Sequence, residues 1–402
     1  MRRLAVLILS VALVLGVALP VSATIENDID PENVVADLLP SHPSLRVADK
    51  DPDAQGLSFT ILPQVGFGPE TGPKVGVKFE GRDLFGGRTF VDLNALVALQ
   101  LQQRAAITIG NPRLGRFMAF GTLSWYRDPT LEFFGTGNND VGGEALSNHD
   151  LRRGRAGIFL AYRVLPRVAL TASGFYRETD VKPGEDDDTP STDRFAPALP
   201  GIGGARSNHL AIALVWNSRD EVVRPTRGWK LILKCLSADQ ALWNDDADFS
   251  KLILDASYVL PQVWQRQVVG LHGNAEVMFG TDRDIPFFEL SSLGGDDTMR
   301  GYFPGRFLGK GRMVFNAEYR LKLTDFNFRR LWDVEIDGVG FGDAGRVYDG
   351  SGDFVDHVFD HLRYSYGGGV RIGFSSGLVA RIDVGFSPEE TGLVYLAFGH
   401  TF

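Results

Sequence analysis

The chain has one cysteine, Cys235, in 402 residues. No intrachain disulfide can form, so packing and hydrogen bonds must hold the fold even if the chain is exported. Beyond the N-terminus there is no apolar run of about 20 residues, which excludes a transmembrane helix there. Positive charge is short as well. The 41 Lys and Arg stand against 50 Asp and Glu, a formal net charge of −9. That balance argues against nucleic acid as a partner. The seven histidines are scattered without metal-site spacing; His357 and His361 lie four apart, but in a Gly/Asp-rich loop rather than on a helix. What is plentiful is glycine, at 47, and phenylalanine, at 28. Such a mix favours strands and turns over helices.

The first 23 residues read as a secretory signal peptide. Arg2 and Arg3 precede the apolar stretch from Leu4 to Leu19, and Val21-Ser22-Ala23 supplies small residues for cleavage. A retained anchor fits less well, because the run is short and ends at Pro20. Loss of the two arginines makes the mature chain more acidic. Residues 24–56 form a polar, acidic lead, expected in the periplasm and largely flexible. Asp30-Pro31-Glu32 suits a helix start and Pro40 a stop, so a helix of barely two turns is predicted over 31–39. The lead is too short for an independent domain.

From Leu57 onward the hydrophobic period is two. About sixteen strands are predicted, near 57–66, 73–84, 88–100, 104–111, 117–126, 154–164, 167–178, 208–218, 228–238, 249–260, 266–279, 312–323, 334–345, 363–374, 378–387 and 392–402. Each is about 9–12 residues long, enough to cross a bilayer at a tilt. In 312–323 one face carries Arg312, Val314, Asn316, Glu318, Arg320 and Lys322; the other carries Met313, Phe315, Ala317, Tyr319, Leu321 and Leu323. Alternation alone fits a soluble sandwich or a membrane barrel equally. Loop length separates them. The long gaps, 127–153, 179–207, 280–311 and 346–362, all follow odd strands, and the even connections are mostly short turns. Long surface loops at one end and short periplasmic turns at the other mark an all-β, antiparallel transmembrane β-barrel. It is expected to occupy 57–402.

The loop Gly294–Gly311 is rich in glycine and holds Met299-Arg300-Gly301-Tyr302 at its centre. An exposed Gly-rich loop with an incidental arginine is the plain alternative. A loop folded back into a confined space gives the arginine a purpose, because it then needs a carboxylate, and Gly301 permits a tight turn. Glu318 lies on the polar face of its strand. Asp343 shares a face with Glu335, Asp337, Val339 and Phe341. Other motifs carry less. Gly373-Phe374-Ser375-Ser376-Gly377 has nucleophile-elbow spacing, but a strand follows where a helix is required, so a hairpin turn is expected. Glu185–Asp188 and Asn244–Asp246 lack the ligand order of a calcium loop and read as solvated charge. No catalytic, cofactor-binding or metal-ligating residues are predicted.

Several segments in order resemble the BamA/TamA family, also called the bacterial surface antigen family. They are Phe133-Phe134-Gly135-Thr136-Gly137-Asn138; Asn217-Ser218-Arg219-Asp220 with Pro225-Thr226-Arg227-Gly228-Trp229; Met299-Arg300-Gly301-Tyr302; Phe341-Gly342-Asp343-Ala344-Gly345; and the terminal Phe402. Together they cover nearly all of 57–402. The resemblance implies a sixteen-strand barrel in the outer membrane of a Gram-negative type cell, with the sixth loop in the lumen and Arg300 against Glu318 and Asp343. It implies outer-membrane lipid, client outer-membrane proteins and, during biogenesis, the barrel assembly machinery as partners. It implies a non-enzymatic role in insertion, assembly or translocation of proteins; a passive pore and a mainly structural surface barrel are the rival readings. Members of the family that fold or translocate proteins carry periplasmic POTRA domains before the barrel. Residues 24–56 are too few to hold one, so a POTRA-less variant is expected, with no lipase domain ahead of the barrel.

Overall fold

Strands β1 (Ser58–Gly68), β2 (Gly72–Arg82), β3 (Phe90–Ala98), β4 (Gln103–Leu114), β5 (Phe117–Phe133), β6 (Ser147–Leu165), β7 (Val168–Pro183) and β8 (Ala205–Asn217) form half of a wall. Strands β9 (Gly228–Ala238), β10 (Phe249–Leu260), β11 (Gln267–Phe279), β14 (Gly311–Phe328), β15 (Trp332–Tyr348), β16 (Arg363–Phe374), β17 (Val379–Phe386) and β18 (Leu393–Phe398) form the other half. Between β11 and β14, the short strands β12 (Ser291–Leu293) and β13 (Phe307–Gly309) pair apart from the wall. The sixteen wall strands close into an antiparallel barrel in which β1 meets β18. This is a computed structural model, and it describes residues 31–39, 58–83, 89–138, 146–186, 188–196, 198–221, 224–243, 246–260, 266–328, 332–374 and 379–398. The signal segment, Phe402 and the Ser375–Gly377 turn lie outside the described residues.

The period of two decides which way each side chain faces. On β8, Ser207, His209, Ala211, Ala213, Val215 and Asn217 are buried, while Leu210, Ile212, Leu214 and Trp216 between them are exposed. Ile158 on β6 is 74% exposed and Ile212 is 65%. A fully buried side chain of this size gains about 1.5–3 kcal/mol over one left in water, so a whole band of them outside a soluble protein would be costly. Facing hydrocarbon, the band costs nothing. Aromatic pairs flank it: Trp229 stacks on Tyr258 near the short-turn end, and Tyr366 on Phe386 near the long-loop end.

Several strands outrun the predicted bilayer-crossing lengths. The expected 117–126, 154–164 and 167–178 run in fact to Phe117–Phe133, Ser147–Leu165 and Val168–Pro183. In the added segments the outer face also turns polar, with Arg127, Arg152 and Asp180 paired across β5, β6 and β7. The hydrophobic alternation stops where the membrane stops, but the hydrogen-bond ladder continues into the aqueous layer. Sequence pattern records only the first of these limits.

The helix α1 (Pro31–Leu38) forms where a short helix is predicted. The helix does not stand free. Val35, Ala36 and Leu39 pack against Met118, Phe159, Val215 and Ile232 on the inner wall. Lys234 Nζ donates to Glu32 at 2.8 Å, Lys230 Nζ to Asn33 at 3.1 Å and Arg219 Nη2 to Asp37 at 3.0 Å. Asn217 Nδ2 donates to the Ala36 carbonyl at 2.9 Å. These partners flank the β8–β9 turn, so α1 stands inside the short-turn mouth of the barrel. Burial pushes the Asp37 carboxyl above its ordinary value, with Arg219 and Lys230 opposing. Among the described residues, those ahead of β1 form α1 alone.

Candidate functional site

The loop between β11 and β14 turns inward. Ser291 pairs with Gly309 and Leu293 with Phe307, making a two-stranded stem. Leu293, Met299, Tyr302 and Phe307 then form an apolar cluster with the wall residues Val314 and Val347. At the tip, Thr298 Oγ1 accepts from Gly294 N and donates to Gly294 O, while Gly295 N donates to Tyr302 O at 2.9 Å. Gly301 has φ +102°, and a Cβ there would sit 2.9 Å from the Phe386 backbone. Both facts require glycine. The apolar stem seats the loop, and the tight turn delivers residue 300 to the wall.

Arg300 is fully buried. Its Nε donates to Asp343 Oδ2 at 2.9 Å and its Nη2 to Asp343 Oδ1 at 2.8 Å, a bidentate pair. Its Nη1 donates to Glu318 Oε2 at 3.0 Å, and its backbone N–H to Asp343 Oδ2 at 3.1 Å. The guanidinium lies 3.5 Å from the centre of the Phe341 ring. The structure therefore brings Arg300, Gly301, Glu318 and Asp343 together on β14, β15 and the loop tip. Tyr302 points another way. Its hydroxyl donates to the Tyr364 carbonyl at 3.2 Å and its ring packs on Phe307. Burial pushes its phenol up to about 12, so it stays protonated.

The site is larger than the sequence motifs suggest. Arg371 Nη2 donates to Glu318 Oε2 at 3.1 Å and to Asp383 Oδ2 at 3.2 Å. Arg320 Nε donates to Glu318 Oε1 at 2.7 Å, and Asn316 Nδ2 to Asp343 Oδ1 at 2.9 Å. Arg381 pairs with Asp296 on the loop itself. Opposite charges thus alternate across β14–β17 and the tip. The signal for Arg371, Arg381 and Asp383 is present in sequence: each occupies the inward parity of its strand, where a charge needs a partner. The tip also reaches the last strand, where Tyr395 Oη accepts from Gly301 N at 3.2 Å and donates to Tyr302 O at 3.1 Å.

Chemically the cluster has paired ions and no nucleophile set beside a base. Among the described residues no group of His, Cys, Asp and Glu could hold a metal ion. What it can do is fix a loop to a wall. Close by is the seam. Among the described residues β1 and β18 share one registered pair, Phe67 with Leu396, whereas β1 and β2 share eleven.

The Omp85 superfamily domain matches residues 83–402. Solved structures of similar fold include BamA from Haemophilus ducreyi lacking POTRA domains 1–3, at 13% identity and TM-score 0.61, covering 86% of this chain and 70% of that one. CdiB from Acinetobacter baumannii is similar at 12% identity and TM-score 0.56, covering 86% of this chain and 60% of that one. CdiB from Escherichia coli is similar at 14% identity and TM-score 0.55, covering 86% and 67%. This chain therefore spans about three fifths to seven tenths of those chains. At such identities the likeness is one of fold. No curated protein matches by sequence.

Proposed function

From the premise that the chain belongs to the Omp85 superfamily, we propose that it assists the insertion and assembly, or the translocation, of proteins at the outer membrane. In this reading residues 1–23 are its export leader and the barrel is its working part. The observation that carries the reading is the seam. An incoming strand needs an edge of unpaired N–H and C=O groups. In this reading the junction of the first and last wall strands, where Phe67 stands opposite Leu396, is the edge that receives an incoming strand. The rival pore reading fits less well, because α1 stands in one mouth and the latched loop in the lumen. The latch is then structural: it keeps the lumen filled and the wall in shape while the seam works.

The test is insertion of a radiolabelled outer-membrane client into liposomes carrying this protein. The expected result is faster appearance of protease-protected, heat-modifiable client than with protein-free liposomes. Equal rates with and without the protein would end the insertion reading.

A further inference from the structure

Across the outer face of β4–β8, one row of registered residues reads Ile109, Gly121, Ile158, Gly174 and Leu210. The next row toward the long-loop end reads Ile107, Leu123, Ala156, Tyr176 and Asn208. Large and small residues alternate in the first row, so the wall is not smooth there. Gly121, Ala156 and Gly174 floor a groove of about 710 Å³ around Ile158. Sites that take up small ligands fall at about 300–1,000 Å³. Glycine inside a strand usually answers to a positive φ, a bulge or a close neighbouring backbone. Neither Gly121 nor Gly174 has a positive φ. The register passes through both without a shift. A Cβ on Gly121 would lie 3.5 Å from the Gly157 carbonyl oxygen, and one on Gly174 3.4 Å from the Leu210 side chain. Both are ordinary contacts. The wall has room for a side chain at either place, and what the missing side chains leave is the groove.

The rim of the groove is built at the long-loop end, where the β9–β10 connection is tied to β8. Asn208 Nδ2 donates to the Leu242 carbonyl at 3.0 Å, and the Arg206 backbone N–H to Asp246 Oδ2 at 3.1 Å. Leu242 and Trp243 thereby line the groove, and Trp243 is 88% exposed. In water that indole would forfeit its burial. At a membrane interface its ring meets acyl chains while its N–H meets headgroups. Just beyond lie Arg206, with a side chain 70% exposed, and Arg152. Arg206 meets Glu178 and Arg152 meets Asp150. A guanidinium has five N–H groups, so an exposed one can serve a phosphate oxygen as well as a carboxylate. We propose that the groove seats one acyl chain of a phosphate-bearing lipid from the leaflet on the long-loop side, with Trp243 over the chain and Arg206 at the phosphate. Hydrocarbon is the occupant because the groove is lined chiefly by apolar residues and is continuous with the lipid-facing band. A second copy would need a protruding side chain for each glycine, whereas a run of methylene groups bends to the floor. The site requires only that the barrel stand in a membrane, so it does not depend on the insertion reading.

The test places the full mature chain in vesicles of phosphatidylethanolamine and phosphatidylglycerol, with a trace of phosphatidylglycerol that carries a diazirine on one acyl chain. After illumination, mass spectrometry locates the labelled peptides. The outward residues Leu252, Leu254 and Leu271 on β10 and β11 serve as the control for ordinary surrounding lipid. The expected result is a several-fold excess of adducts on 119–125, 154–160 and 242–243 over that control. Gly121→Val with Gly174→Val fills the floor and should bring the excess down to the control level, with heat-modifiable mobility kept. Trp243→Ala should lower it several-fold. If the double valine variant does not fold, Trp243→Ala alone decides, because it alters only an exposed connection. A diacylglycerol with the same diazirine chain should label the groove less, and so should the phosphatidylglycerol probe on Arg206→Gln. Equal labelling of groove and control in the parent overturns the site, as does an excess that survives in Trp243→Ala and in every folded valine variant. Undiminished labelling both by the diacylglycerol and on Arg206→Gln overturns the place of Arg206 at the phosphate. Cross-links from Leu123 or Leu210 to another copy, in place of lipid adducts, would overturn the lipid in favour of a dimer.

Discussion

Arg300 cannot shed its charge, so its burial is tolerable only with carboxylates in contact. Asp343 and Glu318 meet it directly, and Asp383 lies 3.8 Å away. Arg300→Ala deprives Asp343 of its bidentate cation, while Arg320 and Arg371 still pair with Glu318 and Asp383. Breaking such a pair costs about 3–5 kcal/mol, less where the lumen admits water. The expected outcome is a lower unfolding midpoint in urea and ready cleavage of the loop by added protease. Arg300→Lys should recover only part of this, because an ammonium cannot make the bidentate pair with Asp343 or stack on Phe341. Equal stability of Arg300→Ala and the parent would remove the latch. A second residue fixes the outer part of the same loop. Arg177 Nη1 donates to Glu289 at 2.7 and 2.8 Å. Burial alone would raise the Glu289 carboxyl, but Arg177, Arg153 and His209 outweigh it and hold it down at about 2. A depressed acid stabilises above its unfolded value near 4.5 and loses that contribution as pH falls toward 2. Hydrogen exchange over 287–293 should therefore be slow at neutral pH, after correction for intrinsic rates, and should quicken progressively as pH falls from about 4.5 to about 2. Exchange as slow at about pH 2 as at neutral pH would contradict the pairing.

Among the elements, those whose pattern answers to the membrane were legible and those that answer to distant partners were not. The β14 alternation is visible in the residues themselves, and the parity of long and short loops distinguishes barrel from sandwich. The inward loop could be argued because Arg300 lacks a purpose in water and two inward carboxylates follow within 43 residues. Tyr395 could not, since an inward tyrosine on a strand has many possible neighbours. Helix α1 was readable as a helix, from Asp30-Pro31 and Pro40, but its position was not. Glu32 finds Lys234 about 200 residues later in the chain, and no local pattern records that. The pairing makes a prediction about the element. Lys234→Glu sets a carboxylate opposite the buried Glu32, and like charges at that distance should expel α1 from the mouth. Single-channel conductance should rise above that of the parent. The exchanged pair, Glu32→Lys with Lys234→Glu, should bring it back down. If the reversal has no effect, the helix does not obstruct the path.

At the scale of the whole molecule, the barrel has two chemically different surfaces, and the outer one sets where it can live. Along β6 the outward positions read Arg152, Gly154, Ala156, Ile158, Leu160, Tyr162 and Val164. Arg152 forms an ion pair with Asp150 at the long-loop end. Tyr162, at the other end, packs on Phe117 in the manner of an interfacial aromatic. Ile158 lies midway and is the most exposed of the series. If the band between is in hydrocarbon, a charge placed on it must cost according to depth. Arginine at the bilayer midplane of a barrel costs about 2–4 kcal/mol, falling to about 0–1 near the interfaces. Ile158→Arg should therefore destabilise the barrel in vesicles by an amount in the upper range, read from urea unfolding, and reduce its yield in the membrane fraction. Val164→Arg, close to the short-turn edge, should cost little, because its guanidinium can reach the headgroups. Both substitutions leave the lumen, the latch and the strand register alone, so their difference reports depth rather than fold. Were the outer face in water, both arginines would be tolerated equally. Equal costs at 158 and 164 would place the band outside the bilayer.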